Sequence, residues 1–431
     1  MLIEELYSIY LNCTHICTDS RKVENKSIFF SLQGDNFNGN TYAEIALNNG
    51  CSFAVIDDVN YYKDNRYILV DNTLKTLQDL AKYHRSKLKI PIIGVTGTNG
   101  KTTTKELLNA VLSKKYNTLA TIGNLNNHIG VPQTILKISK FTEIAIIEMG
   151  ANHLGEIAEL CEIAQPNFGI ITNIGKAHLE GFGSIEGIIK TKSELYNWIR
   201  KKEGTLFVNG ENPILTNLSE NTKRITYGNS SNNNYSANIV AANPYLEVEL
   251  INKNTNKLDK IKSKLVGSYN FENILAAIAI GNYFSVDKNS IINAIESYTP
   301  TNNRSQIIKT EQNRVIMDAY NANPSSMEAS INNFATIAFD NKVVILGDML
   351  ELGNESEKEH LKILELANKK KFDKIILVGK IFNKINNNSE IPTFKSTDDL
   401  AIWLKKNKIM GKTLFVKGSR GIKLENILKL L

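Results

Sequence analysis

Between residues 92 and 112 the sequence leaves little architectural choice. The apolar run Ile92-Ile93-Gly94-Val95-Thr96 is followed by Gly97-Thr98-Asn99-Gly100-Lys101-Thr102 and then by residues 103–112, whose apolar positions recur on a helical period. A buried strand, a glycine-rich turn and a helix in that order make a βα unit. The turn suits phosphate: small residues let backbone N–H groups converge on anionic oxygens, and the following helix presents its positive end. Lys101 would neutralise charge on β- and γ-phosphates, and the Thr102 hydroxyl would reach Mg²⁺. The strict form of such loops has glycine five positions before Gly100, where this chain has Val95, with glycines at 94 and 97 instead. A turn that merely links strand to helix is the plain alternative, but Gly-Lys-Thr in this context favours nucleotide binding.

The alternation continues. Apolar runs at 144–147 and 169–172 read as further buried parallel strands, and those at 315–317, 342–346, 374–378 and 413–416 repeat the pattern after Pro300. Strands are also expected at 27–32 and 66–70, in a first block without a phosphate loop. A chain of 431 residues exceeds what one core usually supports. The expected division is therefore an α/β protein of three domains, 1–90, 91–303 and 304–431, with the third facing the second across a cleft at the carboxyl ends of the strands.

Composition narrows the function. At 42% hydrophobic and 22% charged residues the chain is ordinary globular protein, and no apolar run suits membrane insertion. Met1-Leu2-Ile3-Glu4-Glu5 carries acid where a signal peptide carries base, which points to the cytoplasm. The formal charge of +7 is scattered without interleaved aromatics, so an anionic small substrate is favoured over nucleic acid. Cys13 and Cys17 flank His15, but no second close pair completes a zinc site; with Cys51 and Cys161 they read as free thiols. Ser230-Ser231-Asn232-Asn233-Asn234 reads as solvated loop.

Glu148 and His178 follow neighbouring strands, where such side chains can reach the phosphate loop and a metal. Lys192 lies on a helix expected over 188–199, where spacing alone suggests a solvated lysine.

The loop Gly97 to Lys105 resembles that of the Mur ligases and their folylpolyglutamate synthetase relatives. Further strings carry the likeness along essentially the whole chain: Thr18-Asp19-Ser20-Arg21, Gly123-Asn124-Leu125-Asn126-Asn127-His128, Glu148-Met149-Gly150-Ala151-Asn152-His153, His178-Leu179-Glu180-Gly181-Phe182-Gly183, Asp318-Ala319-Tyr320-Asn321-Ala322-Asn323-Pro324, Gly347-Asp348-Met349-Leu350-Glu351-Leu352-Gly353 and Lys417-Gly418-Ser419-Arg420. Within that family they look like the member that attaches D-alanyl-D-alanine to UDP-N-acetylmuramoyl-tripeptide, completing the cytoplasmic peptidoglycan precursor. The resemblance implies a uridine-diphosphate-binding N-terminal domain, a central P-loop ATPase-like domain with a parallel sheet, and a C-terminal Rossmann-like domain, in a monomer.

It also implies roles. Gly97, Thr98, Asn99, Gly100, Lys101, Thr102 and Thr103 would hold ATP, with Asn273 at adenine and Arg304 and Asp318 at the γ-phosphate and ribose. Two Mg²⁺ ions would be held by Thr102 and Glu148 and by His178 and Lys192, the last matching a lysine carbamylated in related ligases; Lys190 competes for that match. Ser31, Asn126, Asn127, Tyr320, Asn323 and Lys417 would contact substrate. Gln33 stands where the family commonly has a basic residue near the uridine end. The loop Lys417-Gly418-Ser419-Arg420 would deliver positive charge on domain closure. The expected reaction phosphorylates the substrate carboxylate and lets the dipeptide amine attack the acyl phosphate, needing no protein nucleophile. The alternatives are another ligase of the superfamily that adds a single amino acid, a nucleotide-dependent switch or nucleic-acid motor, and a silent binding relative.

Overall fold

Apolar runs alternating with helices build three successive sheets in a computed structural model that describes residues 2–34, 36–251, 258–301 and 303–431. Met1 of the N-terminal string lies outside the described residues. The first sheet is parallel, in the order Ile16–Cys17, Ile28–Phe30, Phe53–Ile56, Tyr67–Leu69. Helix Thr73–Lys87, whose Asn72 cap accepts from the Lys75 N–H, then crosses to the central body. Its Leu77, Leu80 and Ala81 share one core with Val131, Ile135, Leu160 and Ile163. At its last turn the buried Arg85 guanidinium donates to the carbonyls of Ala164 (3.0 Å), Leu88 (2.9 Å) and Gln165 (3.0 Å) and to Asn167 Oδ1 (3.1 Å). First and central bodies are thereby joined by apolar packing and a fully engaged cation.

The central sheet has nine strands in the order Leu258–Val266, Tyr245–Ile251, Tyr235–Ala242, Arg224–Gly228, Thr205–Asn209, Phe168–Ile171, Ile92–Thr96, Ile144–Glu148, Thr118–Ala120. Every residue of Ile92–Thr96 and of Ile144–Glu148 is buried, which is why these strands read as unbroken apolar runs. Helix Lys101–Leu112 buries Leu107, Leu108, Val111 and Leu112, and Ile185–Lys201 buries Ile188, Thr191, Lys192, Leu195, Tyr196 and Ile199. Both stripes have helical spacing, and in the second a lysine occupies an apolar position.

The third sheet runs Gln306–Lys309, Arg314–Asp318, Thr413–Lys417, Lys342–Gly347, Lys374–Val378, Thr393–Phe394. Its first pair is antiparallel and the rest parallel. Among the described residues the third body meets the central one through polar contacts and through Val266 and Leu179, which pack on its core.

Four expectations need correction. The phosphate-loop helix begins at Lys101 rather than 103, because Gly100 in a left-handed conformation (φ 79°) serves as its N-cap. The central sheet is not wholly parallel: Tyr235–Ala242, Tyr245–Ile251 and Leu258–Val266 extend it as an antiparallel meander. Exposed Ile239 and Val240 blur the apolar alternation there. The asparagine run at 230–234 is not simply solvated, since Asn233 is buried and donates to Glu211 Oε1 (2.8 Å). Lys417 closes a strand instead of lying on a loop; its nearly buried ammonium is spent on Asp318 Oδ2 at 2.6 Å, and buried Ser419 accepts the Leu350 N–H, so of that string only Arg420 offers free charge.

Candidate active site

Strand register assembles the site. Val95 pairs with Glu148 and Thr96 with Ile171, so the loop leaves the sheet between a carboxylate on one side and Thr172-Asn173 on the other. Thr98 N–H donates to the Asn173 carbonyl and Asn99 N–H to Asn173 Oδ1, both at 2.9 Å, while Thr172 Oγ1 donates to the Asn99 carbonyl at 2.6 Å. Gly97 has φ +143°, and a Cβ there would lie 2.0 Å from Thr172 Oγ1. Only glycine fits that position.

Lys101 folds back on its loop, donating to the carbonyls of Gly97 (2.7 Å) and Thr98 (3.1 Å). Burial lowers its pKa and Arg304 lowers it further, against the opposing pull of Glu148. Thr102 Oγ1 (3.2 Å) and Asn126 Nδ2 (2.8 Å) both donate to Glu148 Oε1, whereas Glu148 Oε2 is buried with no hydrogen-bond partner among the described residues. A buried carboxylate oxygen lacking a donor is costly unless a cation meets it. Beside the loop, Asn273 accepts from Thr104 Oγ1 at 3.0 Å and donates to Asn270.

Lys192 is 2% exposed, its ammonium 5.5 Å from the centre of the Phe182 ring. Burial, reinforced by Lys101, lowers its pKa to about 7 despite Glu156 and Glu194. Lys190 is exposed on the other face of the helix. His178 caps the short helix Leu179–Phe182 in a left-handed conformation (φ 50°), and its Nδ1 meets the carboxylate of Glu351, also left-handed (φ 65°), from the third body. That contact holds the Glu351 carboxyl below its usual range.

The third body reaches the loop directly. Asn323 caps helix Pro324–Thr336 through Ser326 N–H and donates to Asn99 Oδ1 at 2.8 Å. Lys176 N–H donates to Ser325 Oγ (3.0 Å) and its ammonium pairs with Glu359 (3.2 Å). Asp318 receives Lys417 and the Ser305 N–H, the latter at 3.0 Å. Arg304 and Arg420 lie over the Tyr320 ring, with Cζ 3.8 and 5.5 Å from its centre.

These groups surround one cleft of about 1160 Å³. Of the residues expected at a site, Thr98, Asn99, Gly100, Lys101, Thr102, Thr103, Asn126, Asn127, Glu148, His178, Asn273, Arg304, Asp318, Tyr320, Asn323 and Lys417 line it. Gly97 lies behind the loop against Thr172, and Lys192 is buried near Phe182. Ser31 is not brought to the cleft: its hydroxyl is buried in the first body without a hydrogen-bond partner among the described residues. Near it, Asp57 accepts from Asn40, Thr73 and Gln33, bonds that outweigh burial and lower its pKa. Gln33, where the family commonly has a basic residue, thus donates to an acid of its own domain. Asn173, Ser325 and Glu351 were missed as site residues. Glu351 lay within a quoted string, yet nothing in its spacing pointed to a histidine across the cleft.

Residues 95–281 match the family model of the Mur ligase middle domain, and residues 303–420 that of the Mur ligase, glutamate ligase domain. The "UDP-N-acetylmuramoyl-tripeptide--D-alanyl-D-alanine ligase" of Bacillus subtilis (strain 168) is 36% identical over 429 residues, covering 96% of this chain and 92% of that protein. Among solved structures, MurF from Acinetobacter baumannii superposes with a TM-score of 0.87 at 27% identity, covering 99% of this chain and 98% of that one. MurF ligase from Thermotoga maritima in complex with ADP gives 0.84 at 25% identity, covering 98% and 97%.

Proposed function

The chain belongs to the Mur ligase family, and from that premise we propose that it joins D-alanyl-D-alanine to UDP-N-acetylmuramoyl-tripeptide, using ATP and an acyl-phosphate intermediate, in peptidoglycan precursor synthesis. What carries the reading is the extent of the likeness: relatives of that name align with 96% of the chain, first body included. We assign residues 1–90 to the uridine end, 91–303 to ATP and 304–431 to closure over the reacting groups.

A carboxylate resists amines because its charge repels them and its leaving group would be oxide. Transfer of the γ-phosphoryl group from ATP to the substrate carboxylate removes both obstacles. In that step the loop N–H groups cradle phosphate and Lys101 exchanges its loop carbonyls for phosphate oxygens. Arg304 and Arg420 supply donors from the third body. The dipeptide amine then attacks the acyl phosphate, and the tetrahedral intermediate expels phosphate. The Asn99–Asn323 and Lys176–Ser325 contacts hold the third body against the loop, limiting water's access to the acyl phosphate.

The unpaired Glu148 Oε2 suits a divalent cation. Mg²⁺ is ordinarily held by one or two carboxylates plus substrate phosphates, so Thr102 and Glu148 would hold one ion. His178 and Lys192 would hold a second, Lys192 as a carbamate: an amine with a pKa of about 7 is substantially neutral at physiological pH and open to CO₂. When bound there, Mg²⁺ would supply positive charge against the phosphate oxygens. The acids about Lys192 bear on other groups, since Glu194 accepts the N–H groups of Gly155 and Ala158. No helix among the described residues is long and apolar enough to cross a membrane. With nucleotide-linked substrates, we place the enzyme in the cytoplasm, as a monomer.

Phosphate release from purified protein, with the nucleotide peptide and amino donor varied together, tests the assignment. D-Alanyl-D-alanine should support turnover; activity with a single amino acid and none with the dipeptide would overturn it.

A further inference from the structure

The cleft contains four cations, held in different ways. Lys417 is neutralised by Asp318 and Lys101 is engaged by loop carbonyls. Arg304 and Arg420 have no ion-pair partner among the described residues, and Arg304 Nε is buried without a hydrogen bond. Both guanidiniums lie instead over the Tyr320 ring, Cζ to centroid 3.8 and 5.5 Å.

The difference matters chemically. A carboxylate would occupy the guanidinium fork and cancel its charge. An aromatic face attracts the cation through the ring quadrupole while leaving the in-plane N–H donors free for an anion. The backbone supports the same arrangement. Arg304 is flanked by two non-glycine residues in left-handed conformations, Asn303 (φ 57°) and Ser305 (φ 49°). Ser305 is held there by its N–H to Asp318 and its hydroxyl to Tyr269 at 2.7 Å. Strain maintained on both sides of one side chain points to a selected orientation. The Tyr320 hydroxyl has no hydrogen-bond partner among the described residues, so the ring is the engaged part.

We propose that Tyr320 is a positioning residue whose ring holds Arg304 and Arg420, donors free, where the γ-phosphoryl group of ATP docks and is transferred. The proposal rests on the ligase reading, but concerns the nucleotide rather than the amino donor. It replaces the expectation that Tyr320 contacts the peptide substrate.

The test compares full-length wild type, Tyr320→Phe and Tyr320→Leu by titration calorimetry with Mg²⁺ and either ADP or a non-hydrolysable ATP analogue, alongside steady-state kinetics. With Leu, analogue affinity should fall about tenfold, or ~1.4 kcal/mol, with ADP affinity within about twofold and kcat reduced more than the peptide KM is raised. Phe should restore most of the loss because it keeps the ring. In an Arg304→Gln/Arg420→Gln background, Leu should cause no further loss. Equal losses with Phe and Leu would transfer the role to the hydroxyl and overturn the proposal. So would ADP and analogue weakening together, or a full additional loss in the double-arginine background. Because ADP and the analogue are read without an amino donor, failure of the dipeptide assignment would leave this result standing, and the reverse.

Discussion

Lys192 offers a quantitative test of how the central body is built. Its ammonium occupies an apolar position of helix Ile185–Lys201, and burial lowers its pKa from the ordinary 10.5 to about 7. At about 1.4 kcal/mol per unit, that difference corresponds to roughly 5 kcal/mol as an upper limit, or roughly 2–5 once relaxation is allowed. The sign follows from proton linkage. Below pH 7 folded and unfolded chains both carry the proton, so the full penalty is present. Between pH 7 and 10.5 only the unfolded chain is protonated, and stability rises with pH by up to about 1.4 kcal/mol per unit. Above that range the penalty is gone. Lys192→Met, similar in length and apolar, should therefore stabilise the metal-free protein most at pH 6 and hardly at all near pH 10. The assay is urea unfolding at pH 6, 8 and 9.5. The chain has two tryptophans, so in a Trp403→Phe background Trp198, on the same helix, reports this region alone. Parallel pH profiles for the lysine and methionine proteins would refute the reasoning. The same variant should lose ligase turnover.

Three further outcomes follow from the geometry. Glu148→Gln keeps an acceptor for Thr102 and Asn126 but removes the charge behind the unpaired oxygen; phosphate release should fall at least about a hundredfold, with a raised Mg²⁺ requirement. Gly97→Ala drives a methyl into Thr172 and should destabilise by about 1–3 kcal/mol while abolishing ADP binding by calorimetry. Arg85→Ala strips donors from three carbonyls and Asn167; denaturant midpoints should reveal a loss of about 3 kcal/mol, with turnover per folded molecule little changed.

What could be read from the sequence was what local pattern dictates. Strands buried on both faces announce themselves as apolar runs, so those carrying Glu148 and the phosphate loop were placed within a residue or two. Glycine and lysine types at fixed spacing then disclosed the loop. The meander at 235–266 stayed hidden because exposed Ile239, Val240 and Tyr245 break the apolar alternation of its strands. Lys192 was invisible to spacing, since a buried lysine and a solvated one look alike until the helix stripe is known; resemblance alone singled it out. Glu351, Ser325 and the Asn99–Asn323 bond depend on how two bodies meet, which no local pattern encodes. Lys417 was misjudged because its acid, Asp318, lies 99 residues away in sequence.

The two junctions between the bodies respond to opposite stresses. Between the first and central bodies lies shared apolar core, whose driving force weakens on cooling and tolerates salt. Between the central and third bodies lie the Lys176–Glu359 ion pair, which salt screens, and the contact of His178 with Glu351. High ionic strength should loosen the third body alone, leaving the other two as one unit, whereas cold should act first on the other seam. Buffer choice therefore decides which pair of bodies moves as one.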